Sequence, residues 1–513
     1  MKVATAQQMR NIDDRAIRGL GIPGIALMER AGCEALDVLC RYYGPIHGKR
    51  MVFLCGGGNN GGDGFVMARC ASSRGARVEV LLLTSTDQVR GDAGINLEIL
   101  RKMGRDIRVV QGEHAIEILR ERLAGADLIV DALLGSGMSG EIRGLYREGI
   151  EAANSAEGRV VSVDNPSGVD MDTGAIMGIA VRADLTVTFG LPKRGHFLYP
   201  GKECCGSLEV VDIGFPPEVI EEEGIQLETL DGDRAREMLP YRRDDAHKGD
   251  FGHLLVLAGS VGYTGAAALC AASAYRVGAG LVTLGIPRSL NAILEVKVTE
   301  VITRPLPETE EGSLSLRSLD AALELSSRMD AVVLGPGLST VAETQEFARQ
   351  FLVRCDRPVV LDADGVNALK DRVDIFQHRS APTILTPHPG ELGRLVGLSG
   401  REVNQRRIDL CTEMAGKWGL ILLLKGAPTV LSDAGGNAFI NTSGNSGLAT
   451  GGTGDVLSGA VGGFLVQGLE PFRAALCGAF FHGLAGDLVS REKGRRGMIA
   501  GDVMEALPRA LLL

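Results

Sequence analysis

Residues 51–69 read MVFLCGGGNNGGDGFVMAR: five apolar residues, a glycine-dense turn, then the start of a helical pattern. That succession is the unit of a parallel, helix-covered sheet. Downstream, RVEVLLL (77–83), DIRVV (106–110), DLIVDALL (127–134), RVVSVD (159–164), DLTVTF (184–189) and LEVVDI (208–213) read as further strands separated by helical stretches. Upstream, residues 6–43 are amphipathic around LMERAG (27–32), with Gly21, Pro23 and Gly24 as punctuation, so at least two helices precede the first strand. Between 215 and 250 the pattern breaks into two prolines, an EEEG run and the polar LPYRRDDAHKGD, and a domain boundary is expected near 217–245. The alternation then resumes with HLLVLAG (253–259), LVTLGI (281–286), AVVLG (331–335), PVVLDAD (358–364), TILTP (383–387) and LILLLKG (420–426). The expectation is α/β throughout, with one parallel-sheet domain over 1–216 and a second over 225–513.

Composition narrows the function classes. At roughly 150 residues per domain, 513 residues make two to four domains. Lys and Arg number 54 against 64 Asp and Glu, so 54 − 64 gives a net charge of −10, which disfavours nucleic acid and anionic membranes as partners. A hydrophobic share of 45% excludes disorder, and Gly at 70 residues, about twice ordinary usage, implies many tight turns or phosphate-cradling loops. The ten cysteines, including the neighbours Cys204 and Cys205, show no CxxC spacing, so neither a zinc site nor a disulfide framework is expected. With a charged N-terminus and no apolar run of membrane-spanning length, a cytoplasmic protein is expected.

Ligands of parallel α/β sheets bind at the carboxyl ends of the strands, so the residues following each strand are the candidates. After the first strand, Asn59, Asn60, Gly61, Gly62 and Asp63 lie in what reads as a loop preceding a helix near Phe65, suited to close approach by a phosphate or nucleotide. Asp131 ends one strand and leads into Gly135–Glu141, while Asp164 ends the next, with Ser167 just beyond Pro166. Asn60, Asp131, Asp164 and Ser167 are oxygen ligands fit for a hard cation, and one carboxylate could stay free for acid–base work. In the second half Gly337 and His388 follow strands, although a lone histidine is more often structural, and Lys425 and Gly426 offer a seat for nucleotide phosphate. The strongest signal is GNSGLATGGTGDVLSGAVGGFLVQG (444–468), where Thr450–Gly454 enter a helix near Asp455. Free amides there make an anion hole for a transferring phosphoryl group, and Asp455 is placed to take a proton from an attacking hydroxyl.

These residues resemble two families fused in one chain. LMERAG, NNGGDG, DALLGSGMSG and DNPSGVDMDTG resemble the NAD(P)H-hydrate epimerases, which have a Rossmann-like fold, over roughly 1–215. KGDFG, GPGL, TPHPGE, KGAPT and ATGGTGDVLSG resemble the ribokinase-like ADP- or ATP-dependent NAD(P)H-hydrate dehydratases, over roughly 225–513. The order resembles the bifunctional repair enzymes of bacteria. The resemblance implies that the first half interconverts the R and S hydrates, NADHX and NADPHX. It implies that the second half phosphorylates the ring hydroxyl of the S hydrate and eliminates phosphate. Carried over by motif, Asn59–Asp63, Gly135, Ser136, Gly137, Met138, Ser139, Gly140, Glu141 and Asp164 would bind the hydrate, with Asn60, Asp131 and Ser167 holding potassium. In the second half Ala266, Gly337, His388 and Asp455 would contact the hydrate, and Lys425, Gly426, Ala427, Pro428, Thr429 and Gly454 the nucleotide. Asp164 and Asp455 would be catalytic, magnesium would accompany the phosphates, and a homo-oligomer is expected.

Two positions depart from the family pattern: Asn165 stands where DxPSG usually has an aliphatic residue, and Ser446 where GNPG is usual. They bear on the potassium loop and the nucleotide loop. Two alternatives stay open. One is a ribokinase-class kinase with a non-catalytic first half, and the other is a first half that serves only as a binding module.

Overall fold

Seven strands between Arg50 and Val211 form one sheet: β1 (Arg50–Cys55), β2 (Arg77–Leu82), β3 (Asp106–Val109), β4 (Leu128–Ala132), β5 (Arg159–Val163), β6 (Leu185–Phe189) and β7 (Ser207–Val211). All pair in parallel, in the order β3-β2-β1-β4-β5-β6-β7. β4 and β6 are buried along their whole length and β1 at all but Arg50, as continuous apolar runs require when helices cover both faces. One face packs Leu36, Leu39, Phe65 and Met67, and the other Leu119, Leu123 and Ile150. The chain winds outward from β1 through β3, returns to β4 beside β1, and winds the other way. The strand order therefore reverses between β1 and β4, which opens a crevice at their carboxyl ends. This computed structural model describes residues 1–135 and 140–513.

The chain divides into two compact units, Lys2–Ile225 and Gln226–Leu513. The stretch expected to hold the domain boundary carries short elements in its first part. It holds a helix (Pro217–Glu222), a three-residue strand β8 (Leu227–Thr229) and a second helix (Gly232–Glu237). Val219 and Ile225 are buried in the first unit, so residues 217–225 belong to it, while Leu230 and Ala235 are buried in the second. Elements of three to six residues are too short to display a period.

In the second unit β8 is joined by β9 (His253–Leu257), β10 (Leu281–Pro287), β11 (Ile302–Leu306), β12 (Ala331–Leu334), β13 (Val359–Leu361), β14 (Thr383–Leu385), β15 (Ile421–Leu424), β16 (Val430–Ser432) and β17 (Ala438–Ile440). The order is β11-β10-β9-β12-β13-β14-β15-β16-β17-β8. β9 to β15 run parallel, as the sequence led us to expect, whereas β16 pairs antiparallel with both β15 and β17. Residues 425–429 are therefore the turn of a hairpin. The reversal of strand order falls between β9 and β12, where the Gly259 amide donates to the Pro336 carbonyl at 2.9 Å and the Ser260 hydroxyl to that of Gly337 at 2.8 Å.

Candidate active sites

At the β1–β4 reversal the strand exits are pressed together: a Cβ on Gly56 would lie 2.1 Å from the Leu133 carbonyl oxygen. The helix that follows starts at Asn59, not near Phe65, so the NNGGDG segment is helix rather than loop. Three of its glycines serve packing. A side chain on Gly61 would meet Gly56 O at 2.1 Å, on Gly62 the Met28 thioether at 2.6 Å, and on Gly64 the Ala132 Cβ at 2.6 Å. The helix is thereby drawn onto the sheet, leaving its first turn to face a cleft of about 810 Å³. Asn59, Asn60, Asp63, Gly135 and Asp164 line that cleft. Gly140 and Glu141 are not among its described lining residues, and the Glu141 carboxylate pairs instead with Arg143 at 2.9 Å. Ser136, Gly137, Met138 and Ser139 lie outside the described residues.

Beneath the cleft Asp131 is fully buried and accepts four hydrogen bonds: from Ser162 Oγ (2.8 Å), Ser167 Oγ (2.6 Å), the Ser167 amide (2.9 Å) and the Leu133 amide (3.3 Å). Burial raises its carboxyl pKa even against these donors. Asn60 donates through Nδ2 to the Leu134 carbonyl at 3.0 Å, and its buried Oδ1 has no partner among the described residues. A buried acceptor left open in this way, beside a saturated carboxylate, suits a cation of low charge density. Asn165, also buried, ties the turn after β5 together through Nδ2 bonds to the Pro166 and Val169 carbonyls at 3.1 and 2.7 Å. The departure from an aliphatic residue thus adds a brace to the loop.

Asp164 adopts a left-handed backbone, φ 64°, that swings its carboxylate toward the cleft. Such strain in a non-glycine residue marks a position that the surroundings over-determine. Its Oδ1 accepts from Lys193 Nζ at 2.5 Å and Thr188 Oγ1 at 3.0 Å, and Lys193 also donates to Thr188 Oγ1 at 2.7 Å. Burial alone would raise this carboxyl, but the Lys193 ammonium and its hydrogen bond outweigh burial and hold Asp164 below its ordinary value. Across the cleft, burial and the negative charge of Asp164 push Asp63 well above the ordinary range and Asp13 up to about 6. The carboxyls of one cleft are thus pushed apart, Asp164 downward and Asp63 upward. Sequence reading missed Lys193 and Asp13. Lys193 lies in the loop after β6, whose GLPK exit has none of the glycine density of the others, and Asp13 lies on a helix before the first strand.

In the second unit a Cβ on Gly337 would lie 3.1 Å from Ala266 Cβ, so the segments after β9 and β12 meet there. The helix Thr453–Val466 begins two residues before Asp455, capped by the left-handed Gly452. Its small residues again serve packing: a Cβ on Gly459 would meet the Cys270 carbonyl at 2.0 Å. At its start a Cβ on Gly454 would lie 3.4 Å from Lys425 Nζ, and that ammonium is paired with the buried Asp362 at 2.6 Å. Ser458, one turn on, donates to the other Asp362 oxygen at 2.6 Å. Burial and the carboxylates of Asp362 and Asp364 push Asp455 up to about 7, against Lys425. Asp362 and Asp364 stand at the β13 exit either side of Ala363, whose φ of 49° is the second strained site position. The DAD of PVVLDAD was the signal that could have found them.

His388 lies just beyond β14, at the strand exit expected of it, and also starts a helix. Its Nδ1 accepts the Gly390 and Glu391 amides at 3.0 and 3.2 Å, capping the helix Pro389–Val396. Burial pushes Glu391, which completes the capping box, up to about 7. Under residues 425–429 lies Arg407, which donates to the Pro428 carbonyl and to Asn404 Oδ1 at 2.6 Å. It is buried, and burial lowers its pKa to about 10. It stands on a helix, away from every strand exit, where sequence offered no signal. Ser446 opens a one-turn helix whose first free amide, on Gly447, is satisfied by Asn445 Oδ1 at 2.9 Å. A proline fits that first position as well as serine, so this departure leaves the loop intact.

Two family models match: that of the YjeF-related protein N-terminus over residues 24–195 and that of NAD(P)H-hydrate dehydratase over residues 254–509. Among curated relatives, the bifunctional NAD(P)H-hydrate repair enzyme of Moorella thermoacetica is 42% identical, covering 100% of this chain and 97% of its own. That of Thermofilum pendens is 42% identical over 100% and 96%, and that of Escherichia coli 35% identical over 98% and 93%. Archaeal proteins are among them, so the likeness is wider than the bacterial one expected. An ADP/ATP-dependent NAD(P)H-hydrate dehydratase from Bacillus subtilis, co-crystallised with ATP and Mg2+, is 31% identical with a TM-score of 0.50, covering 55% of this chain and 97% of that one. Among the described residues no helix is long and apolar enough to cross a membrane.

Proposed function

The chain belongs to the family of bifunctional NAD(P)H-hydrate repair enzymes, and on that premise we propose that its first unit interconverts the R and S hydrates of NADH and NADPH while its second dehydrates the S hydrate using ADP or ATP. Two carboxyls in one cleft with pKa values pushed in opposite directions carry the first half. Inverting a hydroxyl-bearing ring carbon by loss and return of water needs an acid for the departing oxygen and a base for the incoming water. Asp63, whose carboxyl is pushed well above the ordinary range, suits the first task, and Asp164, held low by Lys193, the second. Asn59, Asn60 and Gly135 line the cleft beside them, and Gly61 and Gly62 act by bringing the helix close. The open Asn60 oxygen, with Asp131 and Ser167, fits potassium, which would supply a fixed positive charge beneath the bound hydrate.

In the second unit Asp455, pushed up to about 7, takes the proton of the ring hydroxyl as it attacks the terminal phosphoryl group. The amides at the start of the helix Thr453–Val466 receive the charge on the transferring phosphoryl, and loss of phosphate from the ring then restores NAD(P)H, with ADP leaving AMP. Ala266, Gly337 and His388 border the hydrate, and Lys425–Thr429 with Gly454 the nucleotide. The negative charges of Asp362 and Asp364 help raise Asp455, and magnesium carried on the phosphates would neutralise transferring charge beside them. We place the reaction in the cytoplasm. Exposed Ile293 and Val296 on one helix support a homo-oligomer, which light scattering would reveal.

The test is recovery of near-ultraviolet nicotinamide absorbance from mixed R and S NADHX with potassium, magnesium and either nucleotide. Full recovery is expected. Recovery of the S fraction alone would remove the epimerase reading, and a stable phosphorylated product would favour a ribokinase-class kinase.

A further inference from the structure

Behind the first unit's cleft, the helices Gly24–Tyr43 and Asn59–Ser73 are in backbone contact. A Cβ on Gly32 would fall 2.6 Å from Val66 Cβ and 2.8 Å from the Asp63 carbonyl oxygen. One residue after Gly32 stands Cys33, and one turn after Val66 stands Cys70. Their sulfurs are 3.2 Å apart, and both residues are partly exposed. We propose that Cys33 and Cys70 form a reversible disulfide, a modification site that fastens the two helices carrying Met28, Ala31, Asn60 and Asp63 into the cleft wall. Closing 3.2 Å to a bond of about 2.05 Å needs only side-chain torsion, because the glycine contact already brings the backbones together.

Glu29 completes a set of three metal-ligating side chains with these sulfurs, yet a metal fits less well. Two thiolates on a tetrahedral zinc ion sit about 3.8 Å apart, wider than the pair here. The Glu29 carboxylate, moreover, is bonded to the Arg69 guanidinium, a cation where a metal would need none. The oxidant is a small-molecule disulfide such as oxidised glutathione. One protein thiolate attacks it, forming a mixed disulfide and releasing one glutathione. The second protein thiol then displaces the other glutathione as the Cys33–Cys70 bond forms. The protein gives up two electrons and two protons, and both glutathiones leave as thiols. Burial and the hydrogen bond to Cys70 push the Cys33 thiol up to about 12, which slows attack from that sulfur at neutral pH. No CxxC spacing could have shown this pair, which is 37 residues apart.

The full chain would be incubated with oxidised glutathione overnight, denatured without reductant and titrated for thiols. The expected result is a fall from ten thiols to eight, restored by dithiothreitol, with one cross-linked peptide pair containing Cys33 and Cys70. Closing a 37-residue loop should raise the melting of the first unit by about 5–15 °C. Cys33→Ser and Cys70→Ser should each abolish the cross-link and the shift, while Cys40→Ser keeps both. Ten thiols after oxidation, or separate glutathione adducts on Cys33 and Cys70, would overturn the proposal. So would one equivalent of zinc bound by the reduced protein and lost in both serine variants.

Discussion

Replacing Lys193 by methionine removes the strongest of the influences that lower the Asp164 carboxyl against burial. Its Nζ lies 2.5 Å from Asp164 Oδ1 and also donates to Thr188 Oγ1 and the Phe189 carbonyl. Methionine keeps the packing of the aliphatic stem and leaves the carboxylate with the Thr188 hydroxyl and the Phe189 amide as its donors. Breaking a fully buried pair costs about 3–5 kcal/mol, and the contact of Asp164 with the cleft reduces this to about 2–3 kcal/mol. For a unit of this size that lowers the melting temperature by about 4–12 °C. Without the Lys193 ammonium to oppose burial, the Asp164 carboxyl rises from below its ordinary value to above it. Less of the base is then ionised at pH 7, and epimerisation should fall about 100-fold and recover as the pH is raised toward 9. The assay supplies pure R hydrate and follows absorbance recovery through the chain's own second unit. S hydrate serves as the control, since its consumption should be unchanged. Lys193→Arg should keep most of the rate. A methionine variant with unaltered melting and full R-hydrate turnover at pH 7 would refute the pairing as the basis of the acid–base assignment.

Other outcomes follow from the same geometry. Dehydration of the S hydrate should need ionised Asp455, so kcat/KM should fall about tenfold per pH unit below about 7. Asp455→Asn should lose about 100- to 10,000-fold with nucleotide binding retained, and a flat profile between pH 5.5 and 8 would exclude this base. Replacing potassium by tetramethylammonium should slow epimerisation several-fold in the native chain and leave Asn60→Leu, already slow, insensitive. Arg407→Gln should raise the nucleotide KM about tenfold with little change in kcat, because one charge-assisted bond to the 425–429 turn is lost, and Arg407→Lys should recover part of it. An equal fall in kcat would instead tie Arg407 to the chemical step.

By itself the sequence determined both sheets and most of their strand ends, because a strand buried on two faces must be a continuous apolar run and a sharp exit from it must be glycine-rich. It also carried the short motifs at the strand exits, and with them Asp164, Asp131, Ser167, Asp455 and Gly454. Only the tertiary structure decided what those motifs do. The NNGGDG segment proved to be a helix whose glycines admit Met28 and Ala132, and His388 proved to cap a helix. Lys193 and Asp362 emerged as the partners that set the charge of Asp164 and Lys425. Local pattern reports backbone geometry and which face is buried, whereas a protonation state depends on charges brought together from distant positions. Lys193 stands 29 residues from Asp164 and Lys425 63 from Asp362, and no periodicity spans such separations.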